Sequence, residues 1–289
     1  MSDQHSTQYI DVPSWQLSDS FWLRIYPLIP KPKSRLRGRG KSRKNVGGRP
    51  PADPRTIMAG ILYVLRTGCQ WNAAPEQFGS GKTLHKYFQL WSLRGVFKKM
   101  WRQGLAEYDE VRGIEWKWQA LDVTLTKAPL GGEMTGPNPT DRGKQGVKRS
   151  MLVEATGVPL ALEVGPANRH EMKMLALTLD GMVIDRPLPG KPQPQNICLD
   201  KGYAGEPAQQ IAKQRGYEAH VPDKVNAKKK RKRKGGRRKA RRWVVEVAHS
   251  WINRFRRLLV RWEKKASNYL SMLYFACAII CWRKCELYR

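Results

Sequence analysis

The stretch SMLVEATGVPLALEVGPANRHEMKMLALTLDGMVIDRPLPGKPQPQNICLDKGYAGEPAQQIAKQRGYEAHVP, residues 150–222, changes its hydrophobic period repeatedly. SMLVEA (150–155) and LALEV (160–164) are short apolar runs split by Thr156-Gly157-Val158-Pro159, a hairpin signal. From His170 to Leu179 the apolar residues Met174, Leu175 and Leu179 recur at helical spacing. NICLD (196–200) reads as a short buried strand, EPAQQIAKQRG (206–216) as a helix ended by Gly216, and EAHVP (218–222) as another strand. Upstream, WKWQALDVTL (116–125) reads as a strand ending near Asp122. Downstream, Val244, Ala248, Trp251, Phe255, Leu258 and Trp262 form one apolar helical stripe, with Glu246, Ser250, Asn253 and Arg257 on a separate polar stripe. The order is three strands, helix, strand, helix, strand, helix. It predicts an α/β fold with a mixed sheet flanked by helices.

The amino-terminal part has another texture. Residues 1 to about 30 are aromatic and proline-containing, and KPKSRLRGRGKSRKNVGGRPP (31–51) spaces basic residues with glycine, serine and proline, a composition that cannot bury a core. At Asp53 a cap followed by Pro54 precedes Ile57, Ile61, Leu62 and Leu65 at helical spacing, and Gly68 marks the stop. Leu84, Phe88 and Trp91, then Val96, Met100 and Leu105 beyond Gly95, continue the helical pattern. Helices joined by short glycine turns in a basic context predict a small all-α module of helix-turn-helix type. GSGKT (79–83) resembles the end of a phosphate-binding loop, but Glu76 stands where such a loop needs glycine and no strand precedes it, so no nucleotide site is expected. The division expected is 1–47, amino-terminal segment and basic linker; 48–112, helical module; and 113–289, the α/β domain, with a basic loop at 224–242.

Lysine and arginine outnumber aspartate and glutamate by 54 to 24, a net charge of +30 that repels itself unless a polyanion sits against it. Nucleic acid is the expected partner, with a ribosome-like structural protein or a supercharged surface as the alternatives. The five cysteines form no CxxC pair, and the spacing of Cys277, Cys281 and Cys285 stacks them on one helix face, where packing is expected. No secretory layout opens the chain, and the longest apolar stretch, Tyr269 to Trp282, is shorter than the roughly 20 residues a bilayer needs. A reduced, cytoplasmic setting is expected.

Three acids stand out. Asp122 lies in LDVT and Asp200 in CLDKGY, each at a predicted strand end, where two parallel neighbours would face one edge. Each could instead cap a turn. Glu246 is the sole acid between Lys224 and Trp262 and either pairs with a neighbouring base or ligates a metal. Clustered carboxylates suit hard divalent cations, which stabilise the attacking and leaving oxygens of a phosphodiester transfer.

The stretches GGRPPADPRTIMAGILYVLRTGCQWNAAPEQFGSGKTLHKYFQLWSLRGVF (47–97), LDVT, GVKRSMLVEATGVPLALEVGPANRHEMKML, CLDKGYAGE and RRWVVEVAHSWINRFRRLLVRWEKKASNYL together resemble the DDE transposases of bacterial insertion sequences, of the insertion sequence four and five superfamily. The element order is that of a ribonuclease H-like fold, and the resemblance implies such a catalytic domain with Asp122, Asp200 and Glu246 as its catalytic, metal-binding residues. Asp200 stands 78 positions after Asp122 and Glu246 stands 46 after Asp200, too short a second interval for the β-rich insertion of some relatives. Around the last acid, Arg242 keeps the family's place, whereas Lys239 replaces its tyrosine, Asn253 its lysine, and Val247-Ala248 its Arg-Thr.

What the resemblance implies is a metal-dependent transposase that binds terminal inverted repeats, cleaves the ends and joins the 3′-hydroxyls to target DNA. Two magnesium ions are implied, with manganese as a substitute, along with a homodimer or higher assembly on DNA and a nucleoid-associated location. Expected DNA contacts are Lys82, Thr83 and Lys86 in the helical module and Lys148, Arg149, Lys201, Arg242, Arg254 and the 228–239 tract in the catalytic half. His170, near the start of a helix, is expected as a cap or core residue, with water handling as the alternative. A structure-selective nuclease on the same fold and a catalytically inactive DNA-binding regulator are the competing readings.

Overall fold

The computed structural model describes residues 16–31, 36–37, 44–45, 50–188, 194–222 and 243–289. It divides into two compact units, Met1–Trp91 and Ser92–Arg289.

In the first unit, α1 (Asp19–Ile25) starts at Ser18, whose hydroxyl accepts from the Phe21 N–H. Two residues of β1 (Leu36–Arg37) pair antiparallel with β2 (Lys44–Asn45). Helix α2 (Pro54–Thr67) begins as expected: Asp53 Oδ2 accepts from the Thr56 N–H at 2.8 Å, and Pro54, which has no N–H to lose, occupies the first turn. It ends at Gly68, φ 74°, the left-handed conformation that glycine adopts without strain. Helix α3 (Gly81–Leu93) is capped by Ser80, whose Oγ accepts from the Thr83 N–H at 3.3 Å, so the GSGKT string is a helix start. Leu84, Phe88 and Trp91 are buried on its inner face, with Trp71 against Phe88 at 5.2 Å. A Cβ on Gly60 of α2 would lie 2.7 Å from Leu84 Cδ2 and 2.8 Å from Phe78 Cβ, so the close approach of α2 to α3 depends on that glycine.

The second unit opens with α4 (Val96–Arg112) after Gly95, φ 66°. Then come β3 (Trp118–Lys127), β4 (Gly136–Pro137), β5 (Gln145–Glu154), β6 (Pro159–Pro166), α5 (Glu171–Asp180), β7 (Gln195–Cys198), α6 (Glu206–Gln214), β8 (Tyr217–His220), α7 (Trp243–Asn253) and α8 (Ala266–Glu286). The main sheet runs β6-β5-β3-β7-β8, with β4 on the far edge of β5. Pairs β6/β5 and β5/β3 are antiparallel, β3/β7 and β7/β8 parallel. This is the ribonuclease H-like mixed sheet, and its element order is the one read from residues 116–262. Neighbouring residues of β5 assign the two faces, because side chains alternate along a strand. Ser150 accepts from Thr178 of α5 at 2.7 Å, whereas Arg149 donates to Asn253 of α7 at 2.9 Å.

Two sequence expectations are corrected. Strand β3 does not end at Asp122; it continues to Lys127, because antiparallel pairing with β5 runs on to Lys127↔Gly146 after the parallel pairing with β7 has stopped at Ala120↔Cys198. Nor do residues 244–262 form one helix. Helix α7 ends at Asn253, a 3-10 turn covers Arg256–Leu258, and Val260 bridges Lys127. The reason lies in two inward-turned arginines. Arg257 donates to Glu263 at 2.8 Å in a buried ion pair. Arg261, with no exposed surface, donates to the Glu263 carbonyl at 2.9 Å and to the Glu133 and Lys264 carbonyls, and lies over the Tyr269 ring. Glu133, unnoticed in the sequence, also caps α8 by accepting from the Ala266 N–H at 2.9 Å.

Helix α4 packs along α8. A Cβ on Gly104 would lie 3.3 Å from Cys281 Cβ and 3.5 Å from the Ala278 carbonyl, and Trp101 donates its indole N–H to the Pro159 carbonyl at 3.1 Å. Cys277, Cys281 and Cys285 are all buried, and burial pushes the Cys277 and Cys281 thiols well up, so they serve packing. The stretch 48–112 read as one module straddles the division at Trp91/Ser92. No helix among the described residues is long and apolar enough to cross a membrane.

Candidate active site

The parallel pairing of β3 with β7 sets two of the three acids side by side. Trp118 pairs with Asn196, Gln119 with Ile197 and Ala120 with Cys198. The same offset separates Asp122 from Asp200, so two further residues along each chain bring the aspartates to one level. Asp200 leaves the strand there and caps a 3-10 turn, Lys201–Tyr203, its Oδ1 accepting from the Lys201 N–H at 2.5 Å. Both aspartates are half-buried.

The third acid comes from α7, which lies over β3 and β5. Val244, Val245, Ala248 and Ile252 are buried, and Glu246 is exposed. One turn further, on the same side of the helix, the buried His249 ring hydrogen-bonds the backbone of Asp122. Burial, and then the nearby Arg149 guanidinium, push the His249 imidazole down to about 3, so it stays neutral. Asn253, another turn on, accepts from Arg149 of β5, whose other nitrogen reaches the Leu258 carbonyl at 3.5 Å. The stripe Glu246, His249, Asn253 thus docks α7 on the strands that carry Asp122, with Glu246 at its open end. Asn253, which departs from the family's lysine, supplies that docking contact. His249 was missed in the sequence, although its position three residues after Glu246 was a usable signal.

Tyr203 closes the floor of the site. Its hydroxyl is fully buried and has no hydrogen-bond partner. Burial pushes it up, and the charges of Glu171, Asp122 and Asp200 push it further. The charges of these three carboxylates reach the buried hydroxyl, and oxygen donors of this kind suit a divalent cation. Among the described residues no three His, Cys, Asp or Glu side chains stand together as a metal cage. The donor set fits a cation in chemical kind, with Glu246 one helical turn from the residue that holds Asp122.

The basic residues divide by burial. Lys201 and Arg254 are exposed, as are Lys82 and Lys86 of α3. The Thr83 hydroxyl is engaged with Ser80 at 2.9 Å. Lys148 and Arg149, by contrast, are both buried, Lys148 donating to the Arg169 carbonyl at 2.9 Å and pairing with Glu171, and Arg149 donating to Asn253 of α7, contacts within the fold that the sequence did not indicate. Arg242 and the 228–239 tract lie outside the described residues. His170 caps α5, its Nδ1 accepting from the Met172 N–H at 3.3 Å.

Comparison with known proteins agrees with this geometry. Residues 119–281 match the family described as "Transposase DDE domain", and residues 17–101 match "Putative transposase of IS4/5 family". A Burkholderia cepacia relative, "Putative transposase for insertion sequence element IS402", is 36% identical over 154 residues, which is 53% of this chain and 70% of the relative. A second protein of that organism, "Insertion element IS402 uncharacterized 16.2 kDa protein", is 31% identical over 125 residues, 43% of this chain and 80% of that protein. No solved structure gives a significant match. With a ribonuclease H-like sheet that sets Asp122 beside Asp200, and a family match across that same sheet, the chain belongs to the DDE transposases of the IS4/5 family.

Proposed function

We propose that this transposase binds the terminal inverted repeats of an insertion sequence, cuts at their ends and joins the freed 3′-hydroxyls to target DNA at one site built from Asp122, Asp200 and Glu246. The observation that carries the reading is the parallel β3/β7 register, whose last pair, Ala120 with Cys198, stands two residues before each aspartate, with Glu246 on the helix that His249 fastens to the Asp122 backbone. The three carboxylates would hold divalent cations, magnesium or manganese, whose chemistry when bound is to activate the attacking oxygen and stabilise the leaving one.

The chain's own residues orient the substrate. The backbone of Asp122 is fixed by its pairing with Met151 in the sheet. His249, neutral and buried, holds the helix without adding a charge that would compete with a cation. Lys201 and Arg254 present positive charge around the site and fix the backbone in register without reading bases. The helical module supplies end recognition, and two copies of the chain, at least, bring two ends together in the cytoplasm at the nucleoid. The test is a strand-transfer assay with repeat-ended duplex and a target plasmid in magnesium: joined products are expected, and cleavage without joining would replace this reading with a nuclease.

Lys82 and Lys86 stand one turn apart and exposed on α3, the geometry for gripping two successive phosphates. Replacing both by alanine is expected to weaken binding to all duplexes alike. The slope of log affinity against log salt should fall by about 0.9 for each phosphate that is no longer neutralised. Fluorescence anisotropy at several salt concentrations measures this, and an unchanged slope would remove α3 from the interface.

A further inference from the structure

Helix α7 approaches the aspartates from one face of the sheet, and a fourth acid approaches from the other. Glu171 opens α5 directly after the His170 cap. Its Oε1 lies 3.4 Å from Lys148 Nζ, which also donates to the Arg169 carbonyl at 2.9 Å. Its Oε2 rests on Gly202, where a Cβ would stand only 3.0 Å away. Gly202 is the middle of the 3-10 turn that Asp200 caps, closed by the Tyr203 N–H donating to the Asp200 carbonyl at 3.0 Å.

We propose that Glu171, held by Lys148, is a positioning residue that fixes the Asp200 turn, and with it the Asp200 carboxylate, for cation binding. This rests on the reading of Asp122 and Asp200 as cation-holding acids. Strand β7 ends at Cys198 and its inter-strand bonding at the Leu199 N–H, which donates to the His220 carbonyl at 3.1 Å, so the Asp200 carboxylate lies one residue beyond the ladder. A side chain wedged against the turn in advance removes part of the cost of ordering it when the cation arrives. Glu171 can be so placed only because Lys148 offsets its charge. An unpaired carboxylate at Gly202 would push Asp200 away. The bare Cα of Gly202 leaves the room the carboxylate occupies. The buried Tyr203 hydroxyl, with no hydrogen-bond partner, lies within electrostatic reach of Glu171, Asp122 and Asp200 alike.

The experiment uses the full-length chain without DNA and manganese ion as the probe. Binding is measured by isothermal titration calorimetry and folding by thermal melting, for the parent, Asp200→Asn, Glu171→Gln and Gly202→Ala. Glu171→Gln is expected to weaken manganese binding by about tenfold or more, the usual effect of losing a residue that orients a metal ligand. Gly202→Ala, which keeps every acid, is expected to weaken it less but in the same direction, with melting temperatures near that of the parent. If Glu171→Gln melts early, Gly202→Ala carries the test. Manganese binding at parental strength in both variants, while Asp200→Asn loses it, would overturn the positioning role alone. A parent that binds no manganese, or an Asp200→Asn chain that binds it fully, would overturn the cation reading and this proposal together.

Discussion

A chain carrying Asp122→Asn is expected to bind repeat-ended duplex at least as tightly as the parent and to cut it more slowly by a factor on the order of 10³ or more. Asparagine keeps the shape of aspartate and loses its charge, so β3 and the paired strands β5 and β7 stay in register. His249 hydrogen-bonds the Asp122 backbone, and that contact survives the change. What is lost is an anionic oxygen at the position where Asp200 offers another. A factor of 10³ corresponds to about 4 kcal/mol at the transition state, within what a bound divalent ion supplies. Single-turnover cleavage in magnesium and in manganese, beside a melting curve, measures it. Cleavage at the parental rate would place the chemistry elsewhere.

The second large effect concerns stability. Arg261→Leu is expected to destabilise the carboxyl-terminal unit by about 3 to 5 kcal/mol, the cost of breaking a buried polar network by removing one member. Leucine fills much of the space but leaves the Glu133, Glu263 and Lys264 carbonyls without that guanidinium. The residue whose carbonyl Arg261 binds also sets the start of α8, because the Glu133 carboxylate accepts from the Ala266 N–H. For a unit of this size the melting temperature should drop by roughly 10 °C. Urea unfolding followed by circular dichroism reads the effect, and a loss below about 1 kcal/mol would mean that the network is dispensable.

Much of the fold was legible because its signals are local. Asp53, Pro54 and Gly68 state both ends of α2 in the residues themselves, and the Thr156–Pro159 turn states the hairpin. The strand and helix order followed from periodicity. The aspartates could be placed at strand ends, but the depth of Asp122 within β3 could not, because it depends on β5 and β7 stopping at different levels. The break after Asn253 was hidden for a similar reason. The apolar stripe continues through Trp262, and only the burial of Arg257 and Arg261 pulls the chain out of the helix.

The basic residues were the least legible. In a chain with 54 lysines and arginines, charge suggests solvent and a polyanion. Yet Lys148 finds Glu171 on α5, and Arg149 finds Asn253 more than 100 positions away. Such partners are chosen by the sheet, and one sequence does not announce them. The same holds for Tyr203 and Glu171, which meet the aspartates only once α5 and the turn after β7 are folded.

The packing of α4 on α8 constrains how this architecture can be shuffled. Residues 96–112 follow the amino-terminal module in the chain, yet they are fitted to Ala278 and Cys281, so closely that a Cβ at position 104 would stand 3.3 Å from Cys281 Cβ. A chimaera that grafts another amino-terminal module onto this carboxyl-terminal half preserves the fit only if the junction falls near Ser92. A junction at 112 would lay a foreign helix across the carboxyl-terminal one, so a chimaera that keeps this packing must keep residues 96–112 with the carboxyl-terminal half.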